Sequence, residues 1–576
     1  MKNQLLSLLF LLVTVSLFAQ KGSVTGTLTD KDMNNEPLPF ANVVLKGTTN
    51  GVSTDDNGKY TISADPGTYV IEFSFLGYET QTETVVIEAG KTVTVDKNLG
   101  SGSYTLQDVV VQAQVNRERE SALLQEQQKA VTITQQIGAQ ELARKGVSDA
   151  AAAVTKVTGI SRQDGSSGIF VRGLGDRYNS TMLNGLPLPS NEPTNKNVAL
   201  DLFSTDVIQS VAVSKTYYTD LYGDVGGANI DIKSKEHTGK TKINIEIGSG
   251  FNNYAFASNN FKVADGYKTF GFYNVNKPTV ITNQYQFGTR WSPNRKSNPI
   301  DNNVGISGGT SFQIGEEGRL SIFATAAFEN GFVMKRGYQM NIGNNRTIVN
   351  EDFYNVNKFD YNTKTTGLAN IAYKINNKNK LKLNSVFINS SKSDVNEFDF
   401  LNENQTNSFS RQTVTEQNKL FVNQLHGEHE LSNRWDLNWG GSFATVKADM
   451  PDRITNTLLE SENGYVFNAN QPASNNRYFQ LLDEVEFSAR ALASVKVIKK
   501  ADEADYKGKI TFGYNGRIKN RDFEATQFNF RINSNNPIEP NNIDSFLNAA
   551  NQANTNGAPD SFRILTGRNA QSLVPF

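Results

Sequence analysis

Hydrophobic and polar residues alternate in short runs along most of this chain, and the period of two predicts β-strands. Near the N-terminus, Val24, Gly26 and Leu28 alternate with threonines. Turn sequences such as Asp56-Asn57-Gly58 and Asp65-Pro66-Gly67 separate the runs that follow. Those runs are residues 42–45, 60–63, 68–75, 82–87 and 92–95. Closely spaced strands with Gly and Pro between them predict an antiparallel β-sandwich over residues 22–99.

The pattern changes over residues 117–236, where helical and strand signals mix. Apolar spacing predicts a strand at residues 131–134 and helices at 139–145 and 149–157. Asn184-Gly185 predicts a hairpin turn, because both residues tolerate left-handed backbone angles. The other predicted strands are residues 169–172, 181–183, 207–214 and 228–232. This segment is therefore expected to be a mixed α/β domain.

From residue 237 to 576 the alternation is sustained. Short turns and long polar loops follow one another, as in a transmembrane antiparallel β-barrel. The strand pairs are 367–375 with 381–388, 425–431 with 435–443, and 489–498 with 509–518. Trp435, Trp439 and Phe443 lie on one strand face, typical of a lipid-facing row but also of a soluble core. A soluble sandwich is the competing interpretation.

Residues 1–19 have the features of a secretion signal. Lys2 precedes an apolar run over residues 5–18, and Ala19 suits the position before cleavage, with Gln20 as the mature start. The run is shorter than the roughly 20 apolar residues that a membrane helix needs. No cysteine follows it, which excludes a lipoprotein anchor. The mature chain is expected to be exported and to enter a membrane only with strands.

The amino-acid composition limits the kinds of partner and functional site that the chain can have. The chain has 57 basic and 58 acidic residues, a formal charge of −1, which gives no reason to expect nucleic acid as a partner. It has no cysteine and three histidines, His237, His426 and His429. His426, Glu428 and Glu430 share a strand face, which favours a polar row inside a barrel over a metal site. We expect no enzyme activity, no catalytic residue, no cofactor and no metal.

Residues 22–99 resemble the carboxypeptidase-regulatory-like domain. The phrases GTLTDKDMNNEPLPFANVVLKGTTNGVSTDDNGKYTI and GTYVIEFSFLGYETQT carry the resemblance. The segment contains no histidine, so the metal ligands of a carboxypeptidase cannot be assembled from it. The resemblance implies a non-enzymatic module exposed to the periplasm.

Four segments in order resemble the plug domain of TonB-dependent outer-membrane receptors. They are VTITQQIGAQELARKGVSDAAAAVTKVTGIS, FVRGLGDRYNSTMLNGLPLP, DLFSTDVIQSVAVSKT and YGDVGGANIDIKSK. The resemblance implies a plug over residues 117–236 that blocks a barrel until the inner-membrane machinery pulls on it. Its motif residues are Arg172, Gly173, Gly175, Asn184, Gly185, Gly226 and Gly227.

Roles follow for several of these residues. Arg172 is expected to pair with carboxylates of the barrel wall, the alternative being an exposed loop arginine. Gly173, Gly175, Gly226 and Gly227 are expected to serve tight turns. Gly173-Leu174-Gly175 is not a dinucleotide fingerprint, because the third glycine is missing.

The linker over residues 100–116 opens with the flexible spacer Gly100-Ser101-Gly102-Ser103. An apolar, β-branched run at residues 104–113 follows. An extended segment of this kind can add a strand to the sheet edge of another protein. Its position ahead of the plug makes it resemble the TonB box, with Asp108, Val109, Val110 and Val111 as the candidate residues. An edge strand of the first domain is the alternative.

Length limits the barrel. A plugged barrel of this class has about 22 strands. Residues 237–576 supply only about 10 to 12, and residues from 533 onward are predicted to be loop. Pro575 and the lost alternation argue against a final strand at Phe576. We therefore expect the N-terminal part of a barrel, an apparently truncated one.

The resemblance implies active transport of a scarce nutrient, such as a siderophore–iron complex, across the cell outer membrane. The implied partners are TonB with its inner-membrane energising complex, outer-membrane lipids and a small-molecule or glycan ligand. One alternative is a SusC-like glycan or oligosaccharide importer that works with a surface lipoprotein. Another is a surface adhesion or structural protein that uses the sandwich alone.

Overall fold

The computed structural model describes residues 21–33, 35–75, 78–100, 120–130, 132–162, 168–258, 260–274, 284–339, 353–401, 406–498, 506–553, 558–566 and 570–573. The chain divides into two compact units, Met1–Ala113 and Gln114–Phe576. Strands dominate both. The predicted signal peptide and the candidate TonB box at Asp108, Val109, Val110 and Val111 lie outside the described residues.

The first unit is a sandwich of two sheets. β1 lies between β5 and the short strands β2, β8 and β9, while the second sheet has the order β4-β3-β6-β7. Along β1 every second residue is buried, with Val24 and Leu28 fully so, as the alternation predicts. The strands are β1 Gly22–Asp30, β2 Glu36–Pro37, β3 Asn42–Leu45, β4 Gly51–Ser53, β5 Lys59–Ala64, β6 Gly67–Ser74, β7 Gln81–Ile87, β8 Thr92–Thr94 and β9 Lys97–Leu99. The sandwich is not purely antiparallel, because β1 pairs in parallel with β8 and β9.

The second unit begins with a mixed α/β domain, as predicted. Its main sheet has the order β10-β15-β16-β13-β14, and β11 pairs with β12. The elements are α1 Glu120–Lys129, β10 Thr134–Gly138, α2 Ala139–Arg144, α3 Ala150–Val154, β11 Ile160–Arg162, β12 Ile169–Val171, β13 Ser180–Leu183, β14 Leu186–Pro187, β15 Ile208–Ser214 and β16 Asn229–Ser234, with 3-10 turns at Asp176–Tyr178 and Leu200–Leu202.

Two local predictions in this domain are wrong in their bounds. The strand expected at residues 131–134 begins only at Thr134, the last residue of the expected range, and continues to Gly138. The helix expected at 149–157 is shorter, because Asp149 is its N-cap and accepts a hydrogen bond from the Ala152 N–H at 2.8 Å. Helix α3 then ends at Val154, and Gly159 takes a left-handed conformation with φ +77°.

The rest of the unit is a 12-stranded antiparallel sheet in which strands follow chain order. This number agrees with the predicted 10 to 12. Its strands are β17 Lys242–Gly250, β20 Asp301–Ile314, β21 Gly318–Gln339, β22 Phe353–Asn376, β23 Asn379–Leu401, β24 Asn407–Glu430, β25 Trp435–Ser461, β26 Gly464–Phe467, β27 Asn475–Val497, β28 Gly508–Asn533, β29 Ser561–Thr566 and β30 Ala570–Leu573. The segments between these strands contain α4 Asn253–Ala257 and the antiparallel pair β18 Phe261–Val263 with β19 Asn294–Lys296. They also contain 3-10 turns at Pro472–Ser474, Pro540–Ser545 and Ala549–Asn551.

The large sheet is open. Among the described residues, the edge strands β17 and β29 are not paired with each other, so no closed barrel forms. The expectation of loop beyond residue 533 is wrong, since β29 and β30 both pair with β28. Turn chemistry misled the prediction there, because the Asn- and Pro-rich stretch at residues 533–560 hides the short strands after it.

The two faces of the sheet differ in polarity. Phe443, Phe487 and Ile518 are cross-strand neighbours on the outer face, and Ile518 is 70% exposed. Their chain neighbours on the inner face are Ser442, Ser488 and Arg517. Outer-face exposure extends to Ile243, Ile245 and Ile247 on the edge strand β17. The sheet therefore has an apolar outer face, while polar side chains line part of its inner face.

The α/β domain packs against the inner face of the large sheet. A single apolar core joins Val211 and Ile232 of the domain to Val386, Val422 and Val446 of the sheet. The sheet's connections are short at one end, as at Asn377-Lys378, which we call the short-turn end. At the other end, which we call the long-loop end, long connections join β17 to β20 and β28 to β29. Within the described residues, no helix has the length and apolarity that a membrane span requires.

Candidate functional site at the interface of the plug-like domain and the sheet

The hairpin predicted at Asn184-Gly185 is present and touches the sheet. Asn184 and Gly185 have φ of 53° and 81°, the left-handed values that the two-residue turn requires. The Asn184 amide donates to Gln424 Oε1 at 2.9 Å, and the Gln424 amide donates to the Leu183 carbonyl at 2.8 Å. Two sequence-predicted residues therefore lie at the interface, held by a reciprocal amide contact.

A loop after this hairpin is bound by charged residues of the sheet. The Ser190 N–H donates to Glu484 Oε1 at 3.0 Å. Glu484 is buried and pairs with Lys519 at 2.8 Å and, more closely, with Arg521. Arg521 also donates to the Pro193 carbonyl at 3.1 Å. We name the four residues Ser190, Glu484, Lys519 and Arg521 the Glu484 cluster.

A third contact lies nearer the short-turn end. Arg490 of β27 pairs with Asp220 of the α/β domain at 2.5 Å, and the Asn515 amide donates to the Asp220 carbonyl at 3.1 Å. Arg517 stacks over the Tyr222 ring with 5.1 Å between the guanidinium carbon and the ring centroid. The segment after β15 therefore contacts β27 and β28 through an ion pair, a hydrogen bond and a cation–π contact.

Arg172 lies elsewhere, and its predicted pairing is wrong. Its φ is +51° and its side chain is exposed. Within the described part of the chain it forms no ion pair with a carboxylate of the sheet. The turn that contains it is closed by the Leu174 N–H, which donates to the Val171 carbonyl at 2.9 Å. The arginines that contact the other partner belong to the sheet instead: Arg490 pairs with Asp220 of the α/β domain, and Arg521 donates to its Pro193 carbonyl.

The glycines of the motif divide into two groups. Gly173 has φ +83° and serves a tight turn, as predicted. Gly175, Gly226 and Gly227 do not have positive φ, but Gly175 still serves a tight turn, because its carbonyl accepts from the Tyr178 N–H at 3.1 Å. A Cβ on Gly227 would lie 2.3 Å from Asn179 Oδ1, which shows that close approach requires this glycine. Gly226 and Gly227 both donate backbone N–H groups to the Tyr178 carbonyl.

Asn179 is an important residue that the sequence did not single out. Its buried amide donates to the carbonyls of Ile169 and Gly175 at 3.1 and 3.2 Å and accepts from the Ala228 N–H at 3.1 Å. It thus joins β12, the following turn and the start of β16. A single Asn before a strand does not stand out in a sequence. The only sequence signal near this site was the Gly226-Gly227 pair, which packs against Asn179.

A polar cavity of about 860 Å³ separates part of the α/β domain from the sheet. Glu192, Asp201 and Arg162 line it from the domain, and Lys392 and Glu416 from the sheet. Burial, the largest cause, and the charges of Glu416 and Asp201 together raise the pKa of Glu192 to about 6, against a smaller opposing effect of Lys392. The domain therefore meets the sheet here through a carboxyl group that titrates near neutral pH.

The predicted polar row of His426, Glu428 and Glu430 lies at the short-turn end. His426 and Glu428 line a cavity of about 490 Å³ with Lys382, Asn184 and Arg490. His429 points to the other face, where its Nε2 accepts from Trp439 Nε1 at 3.1 Å. Among the described residues there is no group of three or more His, Asp or Glu side chains arranged to hold a metal ion. The row is thus an interior polar one, with Asn184 of the hairpin beside it.

Comparison with known proteins identifies both domains. Residues 24–111 match the family model described as the CarboxypepD_reg-like domain. Residues 126–228 match the TonB-dependent Receptor Plug Domain, which includes every motif residue from Arg172 to Gly227. The first match extends beyond the predicted domain end at residue 99 and includes the candidate TonB-box residues 108–111, whereas the second lies within the predicted range 117–236.

Two curated relatives are similar over short segments. TonB-dependent receptor P39 of Formosa agariphila is 39% identical over 107 residues, which cover 19% of this chain and 10% of the relative. TonB-dependent receptor SusC of Bacteroides thetaiotaomicron is 42% identical over 69 residues, or 12% of this chain and 7% of the relative. The matched part of the chain thus spans a tenth or less of the length of each of these relatives.

Among solved structures, the open form of the ferric-catecholate import receptor Fiu from E. coli K12 aligns over 70% of this chain and 69% of that chain. The sequence identity is 11% and the TM-score 0.34. The family models and the curated relatives agree with the geometry above. This chain contains a carboxypeptidase-regulatory-like domain and, after it, the plug domain of TonB-dependent receptors, packed on the inner face of a large antiparallel sheet.

Proposed function

We propose that this protein imports a scarce nutrient across the outer membrane in a TonB-dependent manner. The observation that carries the proposal is the difference between the faces of the large sheet: its outer face is apolar and exposed, while its inner face packs on the plug through an apolar core and charged contacts. Contiguous exposed apolar surface marks a site of contact with lipid or protein. Lipid outside and a plug inside is the arrangement that such transport needs.

The plug contacts support the same function. Asn184, Ser190 and Asp220 are held by single hydrogen bonds or ion pairs to the sheet. To move, the plug would have to break these polar contacts and also leave the apolar core that it shares with the sheet, which is why the proposal includes an external pull. TonB would capture residues 104–113, with Asp108 to Val111 as its target, and transmit force to the plug. Energy would come from the inner-membrane proton gradient, and the chain would act as a transporter rather than as an enzyme.

The experiment compares uptake by cells that carry the natural protein or a variant lacking residues 104–113. Cells are given radiolabelled iron chelates, cobalamin and oligosaccharides, with and without a protonophore. We expect one ligand to accumulate only with the natural protein and only in energised cells. A matched deletion of Gly100–Ser103 shortens the spacer without removing the valines and should keep most uptake. Uptake that survives loss of residues 104–113 at equal surface level would reject the proposal.

The ligand stays a prediction: an iron chelate, with an oligosaccharide taken up alongside a surface lipoprotein as the alternative. The adhesion alternative is favoured if the deletion leaves all accumulation unchanged but attachment of cells to a surface is lost on removing residues 22–99.

A further inference from the structure

We propose that a loop on the outer face of the large sheet anchors the protein in the surface of the outer membrane, with two phenylalanine rings between the lipid head groups and the acyl chains. The loop comprises residues 268–273, and we call it the Gly271 loop. Its rings are Phe270 and Phe272, which are 64% and 46% exposed. The inference rests on the proposed import function, because it requires the sheet to stand in that membrane.

The Gly271 loop is attached to the face of the sheet that carries the exposed apolar residues. The Gly271 carbonyl accepts hydrogen bonds from the side-chain amides of Asn389 at 3.1 Å and Gln417 at 2.9 Å. Asn389 is separated from the exposed Leu383 by an even step along β23, and Gln417 from the exposed Leu425 by an even step along β24. The pairing of the two strands has no shift in this range. Because side chains alternate between faces with a period of two, the loop packs on the outer face, opposite the plug.

The sheet holds the loop in one position. Gly271 has φ +70°, and a Cβ there would clash with the hydroxyls of Thr363 and Ser391. The Tyr361 hydroxyl donates to the Thr269 carbonyl at 2.7 Å. Only glycine fits this position, both because of the left-handed backbone and because of the close approach to the sheet. The two rings are therefore exposed on a rigid support.

The loop lies where the apolar part of the outer face ends. Asn389 follows the first residue of β23, Asn379, by ten residues, and about 9–11 residues of a tilted strand cross the hydrocarbon. Asn389 is paired with Lys419 on β24. The next outer-face pair toward the short-turn end is Phe387 with Phe421. With the short turns on the periplasmic side, the loop is level with the head groups of the outer leaflet.

The side chains of the loop match the chemistry of that layer. Aromatic residues are enriched where barrels leave the hydrocarbon. Lys268 is exposed beside the rings, and the Lys419 ammonium donates to the Tyr273 carbonyl at 3.5 Å. Cations at this level attract lipid phosphates. Phe270 also contacts Phe328 of β21, with 5.2 Å between ring centroids, so the loop continues the apolar surface of the sheet rather than forming a separate patch. This continuity favours lipid over a protein as the occupant.

The test measures the depth of a nitroxide spin label in the purified full-length protein, reconstituted into vesicles of phosphatidylethanolamine and phosphatidylglycerol. The chain has no cysteine, so Phe270→Cys provides a single labelling position. Phe487→Cys, on the exposed apolar face, is the reference for lipid, and Tyr338→Cys, 77% exposed near the outer end of β21, is the reference for water. Relaxation by oxygen and by a water-soluble nickel chelate should place the Phe270 label between the two references, at the level of the head groups.

A second substitution tests whether the support is needed. Gly271→Ala should unseat the loop, and the accessibility of the Phe270 label to the nickel chelate should rise to that of the Tyr338 label. Gly315→Ala is the matched control. Gly315 also has positive φ, +66°, but a Cβ there has no neighbour within 4 Å, so the depth of the label should not change.

Two results would overturn the inference. A Phe270 label as accessible to the nickel chelate as the Tyr338 label would place the loop in water. A label protected from both reagents would show that protein covers it. Either result with the Phe487 label in lipid would reject the anchor and keep the membrane-embedded sheet that import requires, whereas a Phe487 label in water would reject both.

Discussion

The Ser190 N–H donates to a carboxylate oxygen of Glu484 at 3.0 Å, although 294 positions separate the two residues along the chain. The same carboxylate holds Lys519 and Arg521, so one buried group joins the plug to two strands of the sheet. Four predictions follow from this and the neighbouring contacts.

Replacing Glu484 with alanine should loosen the plug. It leaves two cations at a buried position without their anion, which typically costs about 3–5 kcal/mol. Hydrogen exchange of residues 188–198 should rise, measured by mass spectrometry on the purified protein. The control is Asp483→Ala, since Asp483 pairs with Lys447 at an exposed position and its loss should cost under about 1 kcal/mol. Equal exchange in the two variants would contradict the role of the Glu484 cluster.

The plug contact should weaken as pH rises from about 4.5 to 6. The pKa of Glu192 in the folded protein is about 6, above its ordinary value of 4.5. The folded state therefore binds more protons than the unfolded state in this interval, and the free energy of unfolding falls as pH rises, by at most about 2 kcal/mol.

Glu192→Gln should reduce this slope, because the amide stays neutral throughout while the other buried carboxyl groups still titrate. Urea unfolding at pH 4.5, 5.5 and 6.5 measures it. Glu317→Gln, in an exposed turn of the sheet, is the control and should leave the slope intact. A slope of unchanged size in Glu192→Gln would show that another group is responsible.

Alanine at Gly185 should destabilise the hairpin by roughly 1–2 kcal/mol, because an L-residue is strained in the left-handed region. Gly185 has φ +81°, and a Cβ there would lie 3.2 Å from Arg490 Nη1. Gly223→Ala is the matched substitution, since a Cβ at that glycine has no neighbour within 4 Å and its φ is not positive. Thermal unfolding followed by circular dichroism should show a lower Tm only for Gly185→Ala.

Alanine replacements of Arg172 and Arg490 should show which of the two arginines holds the plug against the sheet. Arg490→Ala removes the 2.5 Å pair with Asp220 and should increase proteolytic cleavage of residues 215–228. Arg172→Ala should change unfolding free energy by no more than about 0.5 kcal/mol, as for other exposed residues. A large loss at Arg172 would restore the pairing that the sequence first suggested.

Local patterns predicted much of this structure. The alternation at Val24 and Leu28 and the Asn184-Gly185 turn depend only on neighbours in sequence, and both appear as expected. The Glu484 cluster could not be predicted, because it requires the register between β27 and β28 and the position of a loop far away in the chain. Arg172 shows the converse: a motif residue stands out in sequence, but its partners depend on which way a turn with positive φ directs the side chain.

Strand length has a consequence for where recognition takes place. β22 has 24 residues and β25 has 27, whereas about 9–11 suffice to cross hydrocarbon. At roughly 3.3 Å per residue, more than half of each strand would extend outside the bilayer. The rim of this wall would therefore stand tens of ångströms beyond the lipid headgroups, so the loops that it carries would meet a ligand well outside the bilayer.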